Sequence, residues 1–402
     1  MNYKGLISKS LFPILLMVLV LNISVLFYAN LGKYTTPYDE KYWTQRFLMS
    51  QWILPDCVRT DPHINPQTCT WDDNWYNEHK NDSFIPYKSE SIGDDGVYMY
   101  VASRYMHGID PTTLNAEIPP VGKYVLGLVL ATFHNAPLFA LFSGISSLLA
   151  LYLLNTALFK NKLLAILPIV LFSFEPIFKA QLVAPFLDLT YLAFLCFSLY
   201  FFIKKRFIIS GIFLGLMTGT KASIAALLLT IFVQCMYLLL ENWQKNKKVL
   251  LKSVYKPVCL IALFASIVFT ASYFRFFMLG HTVIDFLKVQ KWIINFYAGG
   301  VKGNVIALWQ VLFTGTWPTW WAGTVSVTEW WIGWPLLVVA AFFSVIYFRD
   351  KLGSMKILAL WVMVYSIFLM IVPVWPRYLL LLLPFLYTLS IWGLSKSIRL
   401  RS

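Results

Sequence analysis

Residues Ser91–Gly127 read SIGDDGVYMYVASRYMHGIDPTTLNAEIPPVGKYVLG. This stretch places Asp94, Asp95, Glu117 and Lys123 between the first hydrophobic run of the chain and all the later runs. The rest of the sequence is poor in charge, and ionisable groups kept beside a bilayer are costly and therefore indicate function. We call residues 91–127 the acidic motif loop.

The composition is that of a polytopic membrane protein. Of the 402 residues, 58% are hydrophobic and only 13% are charged, which is far more apolar than a soluble domain of this size. The formal net charge of +14 comes largely from short basic loops between apolar runs, so we expect no nucleic-acid partner. By contrast, 13 of the 19 acidic residues fall within residues 31–120, which therefore form the one sizeable polar body.

The first apolar run, LFPILLMVLVLNISVLFYAN at residues 11–30, is long enough for a spanning helix, which needs about 20 residues. A cleaved signal peptide is the alternative, but no A-x-A-like site follows the run. Lys4 and Lys9 precede it, so the sequence predicts a cytoplasmic N-terminus and places the acidic motif loop outside.

Later apolar runs bring the predicted number of transmembrane helices to about ten. They cover residues 137–158, 163–179, 183–203, 207–220, 222–240, 257–279, 331–348, 357–373 and 378–396. This count puts every basic loop on the cytoplasmic side, whereas one miscounted span would invert all the loops after it. Residues 124–132 are apolar but short, so we interpret them as re-entrant or interfacial. Eleven spans with a reversed C-terminal side remain the alternative.

Two segments are predicted to be extracytoplasmic. The first carries an amphipathic surface helix within residues 35–56, and it holds Cys57 and Cys69, which form either a disulfide or two free thiols. The second ends in a Trp-rich segment, residues 314–334, where six of 21 residues are Trp. The chain is then a single membrane-embedded unit, residues 1–402, made of a first loop at 31–120, a helical core at 121–279, a Trp-rich loop at 280–330 and C-terminal helices at 331–402.

Further charged residues are predicted at the extracytoplasmic ends of the spans. They are Lys179, Asp188, Lys221 and Arg377. Each has an ordinary explanation, as a snorkelling side chain, a helix cap or an interface anchor. Together with the charges of the acidic motif loop, they describe a cleft for an anionic substrate. We find no paired His or Cys spacing and no nucleotide motif, so no metal or cofactor is expected, although a divalent ion between Asp94 and Asp95 remains an alternative.

Four stretches resemble, in order, the motifs of one family. They are GDDGVYMYVASRYMHG followed by EIPPVGK, then QLVAPFLDLTYLAF, GIFLGLMTGTKAS and WPRYLLLLLPFLY. They are similar to motifs of the GT-C-type integral-membrane glycosyltransferases that use lipid-phosphate sugars, particularly protein O-mannosyltransferases and aminoarabinose transferases. The chain departs from the family in having Asp95 where Glu is usual, and Gln181 or a displaced Lys179 where a basic residue is usual. Asp39 and Glu40 are rival candidates for the acidic pair.

The resemblance implies an all-α, GT-C-like fold and transfer of a hexosyl or pentosyl group from a polyprenyl-phosphate sugar to an acceptor hydroxyl, with inversion. The acceptor would be a protein or a glycolipid, at the outer face of the cell membrane. The implied roles are general base for Asp94 with support from Asp95, donor-phosphate binding for Lys123, Lys221 and Arg377, and orientation or sugar binding for Glu117, Asp188 and Lys179. A transporter or flippase of lipid-linked sugars and a non-catalytic scaffold are the alternatives.

Overall fold

The computed structural model describes residues 3–49, 92–221, 223–243, 247–300, 303–319 and 323–401. Apart from one short hairpin, the regular structure of this part of the chain is helical. The α-helices are α1 Tyr3–Ala29, α2 Leu31–Thr35, α3 Glu40–Met49, α4 Asp94–Met106, α5 Val121–Phe133, α6 Pro137–Leu158, α7 Lys162–Ser173, α8 Pro176–Gln181, α9 Asp188–Ile203, α10 Phe207–Thr218, α11 Ser223–Asn242, α12 Lys247–Ala271, α13 Phe274–Met278, α14 Val283–Gly299, α15 Ala307–Thr314, α16 Gly333–Tyr347, α17 Lys356–Ile371 and α18 Leu383–Arg401. The strands are β1 Thr316–Thr319 and β2 Gly323–Ser326, and 3₁₀ turns occupy Arg349–Lys351, Gly353–Met355 and Pro376–Leu381.

The helices are those of an all-α polytopic membrane protein, as the sequence predicts. Five of the described helices, α1, α6, α11, α12 and α17, are long and apolar enough to cross a membrane. Five shorter apolar helices, α5, α7, α9, α10 and α16, have 12 to 16 residues. A helix of 12 residues is about 18 Å long against a hydrocarbon core of about 30 Å, so the short members need their flanking turns to complete a crossing.

The spanning helices alternate in direction. Each of the ten predicted spans contains one of them, namely α1, α6, α7, α9, α10, α11, α12, α16, α17 and α18. The starts of α9 and α18 and the end of α10 lie together, because Asp188, Lys221 and Arg377 are in contact. We call this the site end of the bundle. The basic loop at 204–206 joins the opposite ends of α9 and α10.

Both ends of helix α5 are bonded to other segments. At its start, the amide of Val121 donates to the carbonyl of Gly219, just after α10. At its other end, the carbonyl of His134 accepts from the amide of Tyr38, which follows α1 and α2. Neither bond fixes a membrane boundary, so the interfacial or re-entrant interpretation of this helix, and with it the count of ten spans, stays a prediction.

Small residues set the closest approach between helices. Gly211 and Gly215, four residues apart on α10, face α12. A β-carbon at Gly215 would lie 2.6 Å from the carbonyl oxygen of Ala265, and one at Gly211 would lie 2.7 Å from that of Ile261. Glycines at this spacing allow two helix backbones to pack directly in a membrane, where dispersion contacts hold the helices together.

Three predicted helix boundaries are wrong, and each has a physical reason. The run 163–179 is broken after Ser173, because Pro176 lacks an amide proton and starts a new helix, α8. The run 183–203 becomes helical only at Asp188, after Pro185. Helix α12 starts at Lys247, ten residues before the predicted start at 257, since a helix can continue beyond the apolar run where exposed lysines such as Lys252 and Lys256 can reach the interface.

The polar parts at the site end contain a predicted helix and an unpredicted hairpin. The helix is α3, which lies within the predicted surface helix and packs against α4, which in turn packs against α5. In the Trp-rich segment, β1 and β2 form an antiparallel hairpin in which Trp317 pairs with Val325. The expected all-α fold class is confirmed, with this hairpin as the one strand pair among the described residues. Cys57 and Cys69 lie outside the described residues.

Candidate functional site

Four charged side chains form a continuous cluster at the site end. The Arg377 guanidinium donates to the Asp94 carboxylate, and its Nε lies 3.7 Å from Asp188 Oδ2. The other oxygen of Asp188 accepts from the Lys221 ammonium at 2.7 Å. We call Asp94, Arg377, Asp188 and Lys221 the charge cluster. Asp188 is the most deeply buried member, with a side chain that is 2% exposed, whereas that of Asp94 is 27% exposed at the mouth.

The local structure explains why these residues meet. Asp188 opens α9, Lys221 follows the end of α10, and Arg377 lies in the 3₁₀ turn before α18. Asp94 is the first residue of α4, where a carboxylate is favoured by the exposed amides of the helix start. Four elements from distant parts of the chain therefore present one charge each to the same point.

Aromatic rings surround the two cations. The Arg377 guanidinium carbon lies 4.8 Å from the ring centre of Phe186 and 4.9 Å from that of Trp375. The Lys221 ammonium lies 4.9 Å from the ring of Tyr378. Such contacts stabilise a cation that has little water around it. Arg377 Nε and Asp188 Oδ2, 3.7 Å apart, are nevertheless buried without a hydrogen bond among the described residues, so each keeps an unused hydrogen-bonding position.

Asp95 lies beside the cluster. Burial raises the pKa of its carboxyl above the ordinary value of 3.8, with the neighbouring Asp94 acting in the same direction and Arg377 opposing it. Its carboxylate also faces the backbone of the turn, since a β-carbon at Gly93 would lie 2.4 Å from Asp95 Oδ1. Asp95 is therefore placed to support the turn that carries Asp94.

Lys123 and Glu117 form a second polar group within the acidic motif loop. The Lys123 ammonium is fully buried and donates to the carbonyls of Asn115 at 2.8 Å and Ile118 at 2.7 Å. The Glu117 carboxylate accepts from the side-chain amide of Asn115, and burial raises its pKa above the ordinary value of 4.5. The sequence predicts a phosphate ligand at Lys123, but in the structure its amine fastens the loop to the start of α5.

Gly122 in the same PPVGK stretch allows close packing. A β-carbon at this position would meet Thr220 at 2.9 Å and Leu187 at 3.0 Å. These two neighbours are next in sequence to Lys221 and Asp188 of the charge cluster. The stretch therefore joins the acidic motif loop to the backbone that carries the cluster.

The remaining candidates stand apart from the cluster. The Lys179 ammonium lies 5.1 Å from the ring centre of Phe174 rather than beside a carboxylate. Asp39 accepts from the amide of Tyr42 as a helix cap. Glu40 contacts His107 Nε2 at 3.3 Å. Of the two candidate acidic pairs, only the pair at 94–95 supplies a carboxylate to the charge cluster.

Sequence reasoning missed Glu175. Its side chain is buried, and the carboxylate accepts from the indole Nε1 of Trp331 and Trp334 and from the Tyr387 hydroxyl. An acid within an otherwise apolar run was the available signal, because such residues are rare in membrane segments. Among the described residues, no group of three or more His, Cys, Asp or Glu side chains is placed to hold a metal ion.

The fold and the charge cluster together define a polytopic membrane protein with a polar site at one end of its helix bundle. No family model matches the chain, and no curated protein sequence matches it. Among solved structures, ArnT from Cupriavidus metallidurans in the apo state is similar, with a TM-score of 0.55 and 14% identity over 76% of this chain and 55% of that chain. ArnT bound to undecaprenyl phosphate has a TM-score of 0.53 and 15% identity over 76% of this chain and 56% of that chain.

These likenesses show the fold. The chain spans a little over half the length of the ArnT chain that it matches, 55% to 56%. The expected all-α, multi-helix membrane fold is confirmed, and it is similar to the fold of ArnT.

Proposed function

We propose that the protein is a membrane glycosyltransferase that moves a sugar from a polyprenyl-phosphate carrier to an acceptor hydroxyl. The observation that carries the proposal is the charge cluster. It combines two largely buried cations with an acid at the mouth of the site, and Arg377 Nε makes no hydrogen bond within the part of the chain that the structure describes. One of the similar ArnT structures is bound to undecaprenyl phosphate, so a fold of this kind can receive such a lipid.

Arg377 and Lys221 are the proposed donor-phosphate ligands. Arg offers a planar fork to phosphate oxygens and Lys offers a point charge, and both sit in a site with little water, where such charges act strongly. Asp188, the most deeply buried member of the charge cluster, contacts both cations and holds them in place. Because Lys123 is engaged by loop carbonyls, it serves this site indirectly by fixing the acidic motif loop.

Asp94 is the proposed general base. In the resting site its carboxylate is occupied by Arg377. When the donor phosphate binds to Arg377, it replaces that carboxylate, which is then free to accept the proton of the acceptor hydroxyl. The acceptor oxygen bonds to the anomeric carbon from the face opposite the phosphate, the bond to the phosphate oxygen breaks, and polyprenyl phosphate leaves with the electron pair. The sugar configuration is inverted.

The site is proposed to face the outside of the cell. Basic residues lie in the described connections at 160–162, 204–206 and 349–351, and the connection at 204–206 joins the ends of α9 and α10 that lie away from the charge cluster. Lys and Arg are enriched in cytoplasmic loops, so this distribution supports a cytoplasmic N-terminus and an extracytoplasmic site in the cell membrane.

The test is sugar release or transfer by purified protein in nanodiscs, using a panel of radiolabelled polyprenyl-phosphate sugars. We expect turnover by the wild type and a loss of about 10²–10⁴-fold in Asp94→Asn, the usual contribution of a general base. Asp39→Asn is the matched control and should stay active. Activity lost in Asp39→Asn but kept in Asp94→Asn would transfer the base role to Asp39. Binding of the donor by the wild type without turnover would favour the transporter.

A further inference from the structure

Glu175 joins three helix ends at the site end of the bundle. It lies between α7 and α8, Trp331 and Trp334 lie at the start of α16, and Tyr387 lies near the start of α18. The indole nitrogens of Trp331 and Trp334 lie 3.1 Å and 3.0 Å from Glu175 Oε2, and the Tyr387 hydroxyl donates to Oε1. One carboxylate thus accepts from three side chains that are more than 150 residues away in sequence.

The carboxylate has no cationic partner among the described residues. Its side chain is 1% exposed, and its contacts are the neutral donors named above. A buried carboxylate without a cation is costly, and removing it would leave the buried donors of Trp334 and Tyr387 unsatisfied, together with that of the more exposed Trp331. An apolar side chain could fill the same space, but it could not set the register of three helix ends.

Helix α8, the Trp-rich segment and α18 flank the turn that carries Arg377. Helix α8, which follows Glu175 directly, packs against the 3₁₀ turn Pro376–Leu381. Before the turn, the indole nitrogen of Trp317 donates to the carbonyl of Val374 at 2.6 Å, and the Trp317 ring contacts Trp375. After the turn, α18 is fixed to Glu175 through Tyr387.

We propose that Glu175 is a positioning residue for Arg377. It sets the direction of the guanidinium toward the donor phosphate by fixing α8, the Trp-rich segment and the start of α18 to one point. This inference rests on the proposed function, since the effect is transmitted through the phosphate ligand. Glu175 itself touches none of the reacting groups.

The test is a double-mutant cycle on turnover of the polyprenyl-phosphate sugar. Glu175→Gln keeps the size and one acceptor oxygen, but it places an amide donor against an indole N–H. We expect kcat/KM to fall about tenfold in the wild-type background and by less than about twofold in Arg377→Ala, because residues that act through one group are not additive. Glu329→Gln, in the same Trp-rich segment with its carboxylate on Thr328, is the control and should leave kcat/KM unchanged.

The outcomes separate the inference from the proposed function. The inference about Glu175 is overturned if the wild type is active and Glu175→Gln has the same kcat/KM. It is also overturned if Glu175→Gln lowers kcat/KM equally in the wild-type and Arg377→Ala backgrounds. Either result leaves the proposed transferase function in place. A wild type without turnover on any donor overturns the proposed function and the inference together. Glu175→Asp supplies the check on folding: because it keeps the charge, it should recover part of the activity that Glu175→Gln loses, and no recovery would count against a positioning role.

Discussion

Asp188 offers the most direct test of the charge cluster. It is the acid shared by Lys221 and Arg377, and its side chain is 2% exposed. The four members of the cluster carry two negative and two positive charges. Asp188→Asn keeps the volume but leaves two buried cations with only Asp94 to balance them.

The expected loss follows from this geometry. Removing one partner of a buried ion pair costs roughly 3–5 kcal/mol, because the other partner is left charged and poorly solvated. The Lys221 bond at 2.7 Å is the shorter of the two contacts and should dominate. We therefore expect Asp188→Asn to lower the free energy of unfolding by about 3 kcal/mol or more. Asp188→Asn with Lys221→Met restores neutrality and should recover part of that loss.

The assay is SDS titration of purified protein in mixed micelles, followed by circular dichroism, for the wild type, both single variants and the double variant. Coupling of at least about 1 kcal/mol is expected, because interacting residues show coupling of about 0.5–3 kcal/mol. Lys288→Met removes an exposed contact with Asp285 and should leave the titration unchanged. Additivity of Asp188→Asn and Lys221→Met within about 0.5 kcal/mol would refute the view that the cluster is one electrostatic unit.

Two further predictions concern packing and pH. Gly215→Ala should destabilise the protein by about 1–3 kcal/mol, because the added β-carbon meets the backbone of α12. Gly32→Ala is the control and should leave stability unchanged, because a β-carbon there would have no atom within 4 Å. Equal SDS titrations of the two variants would contradict the proposed packing of Gly215 against α12. Burial raises the pKa of Glu117 above 4.5, so the folded state holds this proton more tightly than the unfolded chain and stability falls as pH rises from 4.5 toward the folded pKa. As pH rises over this range, the melting temperature of Glu117→Gln in detergent should fall less than that of the wild type. The same dependence of melting temperature on pH in both proteins would show that Glu117 does not cause the loss of stability.

Much of the architecture could be predicted because the bilayer restricts it. Apolar runs identify the spans, and basic loops fix their alternation, so residues at corresponding span ends must share a side. This rule predicts a shared side for Asp188, Lys221 and Arg377, and the structure brings the three side chains into contact through Asp188. Whether a span end lies inside or outside depends only on how many spans precede it. Errors of up to ten residues in the span boundaries therefore leave the predicted side unchanged.

Contacts within the site end could not be predicted, because they depend on side-chain directions across distant segments. Lys123 shows this clearly: its charge could be read from the sequence, but its direction toward the carbonyls of Asn115 and Ile118 could not. Glu175 was read as part of an apolar span, and its partners come from a segment that also reads as an interfacial aromatic belt. The β1–β2 hairpin was missed for a related reason, since its Trp and Thr residues suit an interfacial belt as well as a strand.

The ion pair between Asp94 and Arg377 joins residues 283 positions apart, and under the proposed function it also determines the order of events. A base that is bonded to a guanidinium cannot accept the proton of an acceptor hydroxyl through the same oxygen. The donor phosphate is a diester that carries one negative charge and offers two non-bridging oxygens to the guanidinium fork, so it competes with the single carboxylate oxygen of Asp94. Asp188 and Lys221 keep Arg377 in place during this exchange, since their contacts do not involve Asp94. The site would therefore free its base only when a donor phosphate is present, so the donor binds before the acceptor reacts.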